Sequence, residues 1–155
     1  MITKGACAAA MLAASVSVFA QQLSPPDNTD LKSAYCIGVE QQVVANAEAM
    51  QNSLPASAVK YAQEASRDAH DRLRHLQQYL MPRLPYIDPI GVAAARQRGT
   101  DDYAFLFNDP QTAACSTRCM QQSQTKDQLQ QCTVACAPER LPRIWQCSNL
   151  SWLPF

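Results

Sequence analysis

Between Cys115 and Cys136 the chain reads CSTRCMQQSQTKDQLQQCTVAC, two Cys-x-x-x-Cys pairs with twelve residues between them. Four thiols at this spacing support three chemistries. They can hold a soft cation such as zinc or cuprous copper, cycle as a redox pair, or close into two disulfides. Residues four apart share a helix face, so Cys115 and Cys119 point together, as do Cys132 and Cys136. Facing residues of an antiparallel helix pair keep a constant total of residue numbers. Cys115 with Cys136 and Cys119 with Cys132 share the total 251, whereas the crossed pairings give 247 and 255 and fit no single register. Bridging within one helix is disfavoured as well. Cβ atoms four apart are about 5–6 Å from each other, beyond the roughly 3.5–4.5 Å of a disulfide. Oxidation therefore yields Cys115–Cys136 and Cys119–Cys132.

The compartment decides whether oxidation occurs, and residues 1–20 bear on it. Lys4 precedes Ala6–Ala20, a run of small and apolar residues, and Val18 and Ala20 sit at −3 and −1 of a cleavage point before Gln21-Gln22. This pattern is that of a secretory signal peptide; the run is shorter than the roughly 20 residues a membrane anchor needs. The expectation is a chain exported to the periplasm or the extracellular space after cleavage near Ala20, soluble, with no transmembrane span. Cys7 leaves with the leader. Six cysteines stay, namely Cys36, Cys115, Cys119, Cys132, Cys136 and Cys147, and an even number in an oxidising compartment favours bridges. With the hairpin pairs assigned, Cys36 and Cys147 are left to each other.

Charge and histidine content narrow the function. Basic and acidic residues number 13 each, and loss of Lys4 leaves twelve against thirteen, with no basic stripe to attract a phosphate backbone. Nucleic acid is not an expected partner. His70 and His75 are the two histidines; five residues turn a helix by about 500°, which puts them on different faces. No Gly-x-Ser-x-Gly turn, His-Glu-x-x-His or Cys-x-x-Cys occurs, so neither an enzyme nor a cofactor is expected. The alternative is a periplasmic metal-handling protein using Cys115, Cys119, Cys132 and Cys136 for copper or zinc.

The elements that position these cysteines are helical. Residues 21–29 form a polar lead-in, and a helix capped by Thr29 or Asp30 carries the stripe Cys36, Val39, Val43, Ala47, Met50 and Leu54. After a turn at Leu54-Pro55, Val59, Ala62, Ser66, Ala69, Leu73, Leu76 and Leu80 step by three and four, a heptad seam opposite a charged face. Matched lengths and a short joint predict an antiparallel hairpin over 30–81, ended by Pro82 and Pro85. Asp88-Pro89 opens a short helix that Gly99 stops, and Tyr103, Phe105, Leu106 and Phe107 plug the core from a turn or short helix within 88–108. Asp109-Pro110 opens the first stapled helix and Thr125-x-x-Gln128 the second, giving the twin hairpin 109–137. The tail, 138–155, contains three prolines before its last residue and reads as irregular. The fold class is all-α: a long antiparallel helical hairpin, a short stapled one, and a tail, about five helices in a single disulfide-rich domain over 30–155.

The stapled segment resembles the twin Cys-x-x-x-Cys α-hairpin of the small Tim chaperones of the mitochondrial intermembrane space. The likeness covers 22 of 155 residues and is carried by Cys115, Cys119, Cys132 and Cys136. It implies a hairpin that escorts apolar membrane-protein precursors. This chain adds a leader, a long N-terminal hairpin, Cys36 and Cys147. A protein or peptide partner is expected, and Trp145, Leu150, Trp152 and Phe155 are the candidate contact residues. The competing expectation for them is that they cover the open end of the bundle. The function expected is that of a non-enzymatic binding or structural protein: an adaptor, an inhibitor or a holdase.

Overall fold

Two aspartates cap each other where the first helix begins. In α1 (Asn28–Gln51), Asp30 N–H donates to Asp27 Oδ1 at 2.8 Å and Asp27 N–H donates to Asp30 Oδ2 at 3.0 Å. Such a reciprocal box satisfies donors that a helix start leaves orphaned, and it places the cap ahead of Thr29. The computed structural model describes residues 27–51 and 56–154. The expected leader, most of the lead-in, the Leu54-Pro55 joint and Phe155 lie outside the described residues.

Helix α2 (Ala56–Leu80) returns along α1. Just past its end, Arg83 brings Nε to 2.5 Å from Asp30 Oδ1 and Nη2 to 3.0 Å from Asp27 Oδ2. Further along, Arg72 forks onto Glu40 at 2.8 and 2.9 Å. High numbers on α2 meet low numbers on α1, which makes the pair antiparallel. The heptad seam faces inward: Ser66, Ala69, Leu76 and Leu80 are buried, and Ala62 and Leu73 half-buried. The Arg83 hydrogen bond holds the Asp30 carboxyl below its ordinary value of 3.8, against the opposing pull of burial.

Helix α3 (Pro89–Asn108) is a single helix, which corrects the expected stop at Gly99. Asp88 caps it through the Ile90 N–H, with Pro89 in the first turn. Gly99 does not take up a left-handed backbone; among the described residues no glycine does. Its role is a close approach. A Cβ on Gly99 would overlap the Tyr35 carbonyl and lie 3.2 Å from the Val39 nitrogen, while one on Gly38 would overlap the Arg96 carbonyl and lie 2.9 Å from the Thr100 nitrogen. The two glycines let the backbones of α1 and α3 touch. Because the obstacle is backbone rather than a movable side chain, Gly99→Ala is expected to cost about 2 kcal/mol, in the range for overpacking. Urea unfolding checks this against Ala93→Ser on the exposed face, where about 0.5 kcal/mol or less is expected.

Val92 borders a small crevice with Ala34 and Ile37, and further along both helices Gly38 meets Arg96 and Thr100, so α3 ascends α1 in the same direction. Flanked on both sides, α1 has no solvent face from Ser33 to Glu40, where every residue is buried. The aromatic segment only partly fills the core. Tyr103 and Leu106 pack against it, but Phe107 is 54% exposed.

Helices α4 (Pro110–Gln122) and α5 (Lys126–Cys136) make the second hairpin. Asp109 caps α4 by accepting from Thr112 N–H at 2.7 Å. Thr125 caps α5 through Gln128 N–H at 3.2 Å, and Gln128 Oε1 accepts from Gln124 N–H rather than from the cap residue itself. The tail begins with a helix, α6 (Leu141–Trp145), followed by a 3-10 turn over Gln146–Ser148. The expected irregular tail is corrected here because Pro142 falls in the first turn of α6, where its missing N–H costs no hydrogen bond. Six α-helices thus stand, among the described residues, where about five were expected. Ile37, Val39, Leu76, Leu80, Val92, Ile144 and Leu153 form the common core, each contributing about 1.5–3 kcal/mol if fully buried.

Candidate functional site

The cysteines come together in two places. Cys36 and Cys147, both fully buried, are bridged with Cα atoms 5.2 Å apart, which fastens the turn after α6 to the N-terminal half of α1. On the hairpin, Cys115–Cys136 and Cys119–Cys132 are bridged, with Cα separations of 5.7 and 5.6 Å. Both separations lie in the usual span for disulfides. The sulfurs of Cys115, Cys119 and Cys136 all lie within 4.8 Å of one another, so four sulfurs occupy one cluster between α4 and α5. Among the described residues of these two helices, Cys119 is the one apolar side chain that is buried. Sulfur stands in for a hydrophobic core. Helices of 13 and 11 residues are about as short as isolated helices can be and still be marginal, so the staples hold them. Replacing Cys119 and Cys132 by alanine is expected to destabilise the hairpin by about 3 kcal/mol. Hydrogen exchange checks it: amides of α4 and α5 lose protection while those of α1 and α3 keep theirs.

A cleft of about 550 Å³ lies beside the Cys115–Cys136 bridge, lined in part by Phe105, Asp109, Thr112, Glu139 and Arg140. Arg140 spans it, with its guanidinium 3.6 Å from the Phe105 ring centre and Nε 3.2 Å from Asp102 Oδ1. The Thr112 hydroxyl and N–H hold the Asp109 carboxyl below its ordinary value.

Three buried carboxylates, which sequence reasoning did not single out, join helices. Asp102 on α3 accepts from Tyr35 on α1 at 3.0 Å and from Arg143 on α6 at 3.1 and 3.2 Å, in addition to Arg140. Burial, then the Asp102 charge, pushes the Tyr35 phenol above its ordinary value. Asp30 collects Arg83 and, at 3.3 Å, the Tyr79 hydroxyl. Glu40 is held by Arg72, yet burial outweighs that pairing and keeps its carboxyl above 4.5. The only available signal was phase. Glu40 follows Cys36 by four residues and so lies on an interior face. Nothing local distinguishes Asp102 from the exposed Asp101 beside it.

The remaining candidates lie apart. Leu150 and Trp152 pack against the core, and Leu153 is buried. Trp152 Nε1 donates to the Gln146 carbonyl at 3.2 Å under the Lys32 ammonium. Trp145 is half-buried and borders a shallow crevice with Val134. Leu150 and Trp152 thus lie on the core, and Trp145 beside the stapled hairpin. Both histidines are exposed, His70 with Nδ1 2.9 Å from the Ser66 carbonyl oxygen, and Asp71 pairs with Arg74 at 2.7 Å. Among the described residues no helix is long and apolar enough to cross a membrane. No family model, curated protein or solved structure matches the chain.

Proposed function

We propose that this chain is an exported, non-enzymatic helical protein that binds a protein or peptide, or holds structure, as an adaptor, inhibitor or holdase. The observation that carries the reading is the pairing of Cys36, Cys115, Cys119, Cys132, Cys136 and Cys147 in three bridges. Such bridges persist where thiols are oxidised, as in the periplasm or outside the cell. The non-enzymatic part is supported by the use of the buried carboxylates. Asp30, Glu40 and Asp102 are each consumed by arginines from another element, which is the bonding of a scaffold rather than of groups poised to exchange protons with a substrate.

A second reading rests on the sulfur cluster. With the hairpin bridges reduced, Cys115, Cys119 and Cys136 together with Cys132 would offer a soft cation four thiolates on facing helices. Mass spectrometry of protein taken from its natural compartment and alkylated before reduction separates the two. Six unmodified cysteines, no bound metal and an N-terminus near Gln21 are expected. Free hairpin thiols with stoichiometric zinc or copper would overturn the first reading in favour of the second.

A further inference from the structure

We infer that a groove between the N-terminal halves of α1 and α3 docks an acidic, partly apolar segment of a partner protein. The inference rests on the binding reading above and supplies its surface. The groove measures about 490 Å³; Leu31, Ala94 and Ala95 contribute its apolar wall, and Lys32, Arg98 and Arg143 its charge. No carboxylate is among its described lining residues, although acidic and basic residues are equally numerous in the whole chain. Three like charges along one concave wall, of which only Arg143 has a carboxylate partner in Asp102, focus a positive potential into it.

The three cations are not equally engaged. Lys32 lies 4.2 Å above the Trp152 ring and has no acidic partner among the described residues. Arg143 bonds Asp102 but keeps 45% of its side chain exposed. Arg98 is exposed and has no acidic partner among the described residues, whereas Arg96, two positions earlier, is bound to Gln41 at 2.8 and 3.0 Å.

Apolar area accompanies this charge. Ile90, Ala94 and Arg98 are four residues apart and share one face of α3, and Ile90 is 75% exposed. Along that face an apolar side chain, a small one and a cation follow in order. Ala94 and Gly91 let another backbone come close. A bare anion would have no use for Ile90, and a wholly apolar ligand none for the arginine. A short segment with Asp or Glu one turn from Leu, Ile or Val satisfies both. The groove's volume suits a few side chains of such a segment.

The test places a photocrosslinking benzoylphenylalanine at Ala94 of the full chain in its source organism. Separate proteins carry it at the exposed Tyr86 and at Gln121 on the stapled hairpin. The expected result is adducts at Ala94 whose partner segments, sequenced by mass spectrometry, are acidic and apolar. Their yield should fall about tenfold with Arg98→Glu, the effect of losing one close charge pair, and largely persist with Arg98→Lys. Adducts to lipid, to a second copy of this chain or to segments without acidic residues overturn the proposal, as does a yield indifferent to Arg98→Glu. Adducts at Tyr86 or Gln121 but none at Ala94 overturn the groove and leave the binding reading standing. Adducts at none of the three overturn both.

Discussion

Replacing Cys36 and Cys147 by alanine is expected to lower the unfolding free energy by about 4–5 kcal/mol, the chain-entropy value for opening a loop of about a hundred residues. The bridge spans a sequence separation of 111, and both sulfurs are fully buried. Alanine leaves no orphaned hydroxyl in that interior. Typical domains hold about 5–15 kcal/mol in all, so one bridge supplies a large share. It acts on more than the open chain. Ile144 and Leu153 enter the common core from the segments on either side of Cys147, and Trp152 rests under Lys32; freeing the tail exposes all three. Urea unfolding of the two proteins without reductant, followed by tryptophan fluorescence, measures the loss. A difference under about 1 kcal/mol would show that apolar contacts alone retain the tail.

The second large effect is expected from Arg72→Met. Glu40 has 2% of its side chain exposed, and Arg72 supplies both of its strong hydrogen bonds. Removing one partner of a buried pair leaves a charge in a poor dielectric and costs about 3–5 kcal/mol. Because a quarter of the Arg72 side chain is exposed, the lower end, about 3 kcal/mol, is expected. The pH dependence identifies the cause. Burial already pushes Glu40 above 4.5, and without Arg72 it does so unopposed. A carboxyl whose native pKa exceeds its unfolded value binds its proton more tightly when folded. The associated stability is present below the unfolded value and lost as pH rises through the native one. The cost of Arg72→Met should therefore be smallest near about pH 4 and grow toward neutrality. Glu40→Gln in the same chain should recover most of it. A cost independent of pH would mean that lost packing of the arginine stem, not the stranded charge, is responsible.

How far the fold is legible in the sequence follows from how many faces of each helix are covered. Helix α2 packs against one neighbour, so its buried side repeats every three and four residues and the seam is plain. Helix α1 lies between α2 and α3, and the stretch Ser33–Glu40 is buried all round. Its single stripe predicts one partner and conceals the other. Gly99 has the sequence context of a helix stop, after Arg96-Gln97-Arg98 and before polar Thr100. What makes it an interior contact is Gly38, which a local pattern cannot pair with it. Pro142 reads as a breaker and serves as a first-turn residue. The cysteines are the most legible part of the candidate site, since helical spacing and parity depend on few alternatives. The groove of Lys32, Arg98 and Arg143 is the least legible, because its cations come from three helices and have no shared spacing.

The position of Cys36 also constrains how the molecule can mature. A chain threaded N-terminus first presents this thiol early, while its partner follows 111 residues later, a wait of about 6–20 s at synthesis rates of roughly 5–20 residues per second. Four competing thiols, those of the hairpin, arrive before the correct one. Closure of the hairpin before Cys147 emerges would take these competitors out of circulation and leave Cys36 for Cys147.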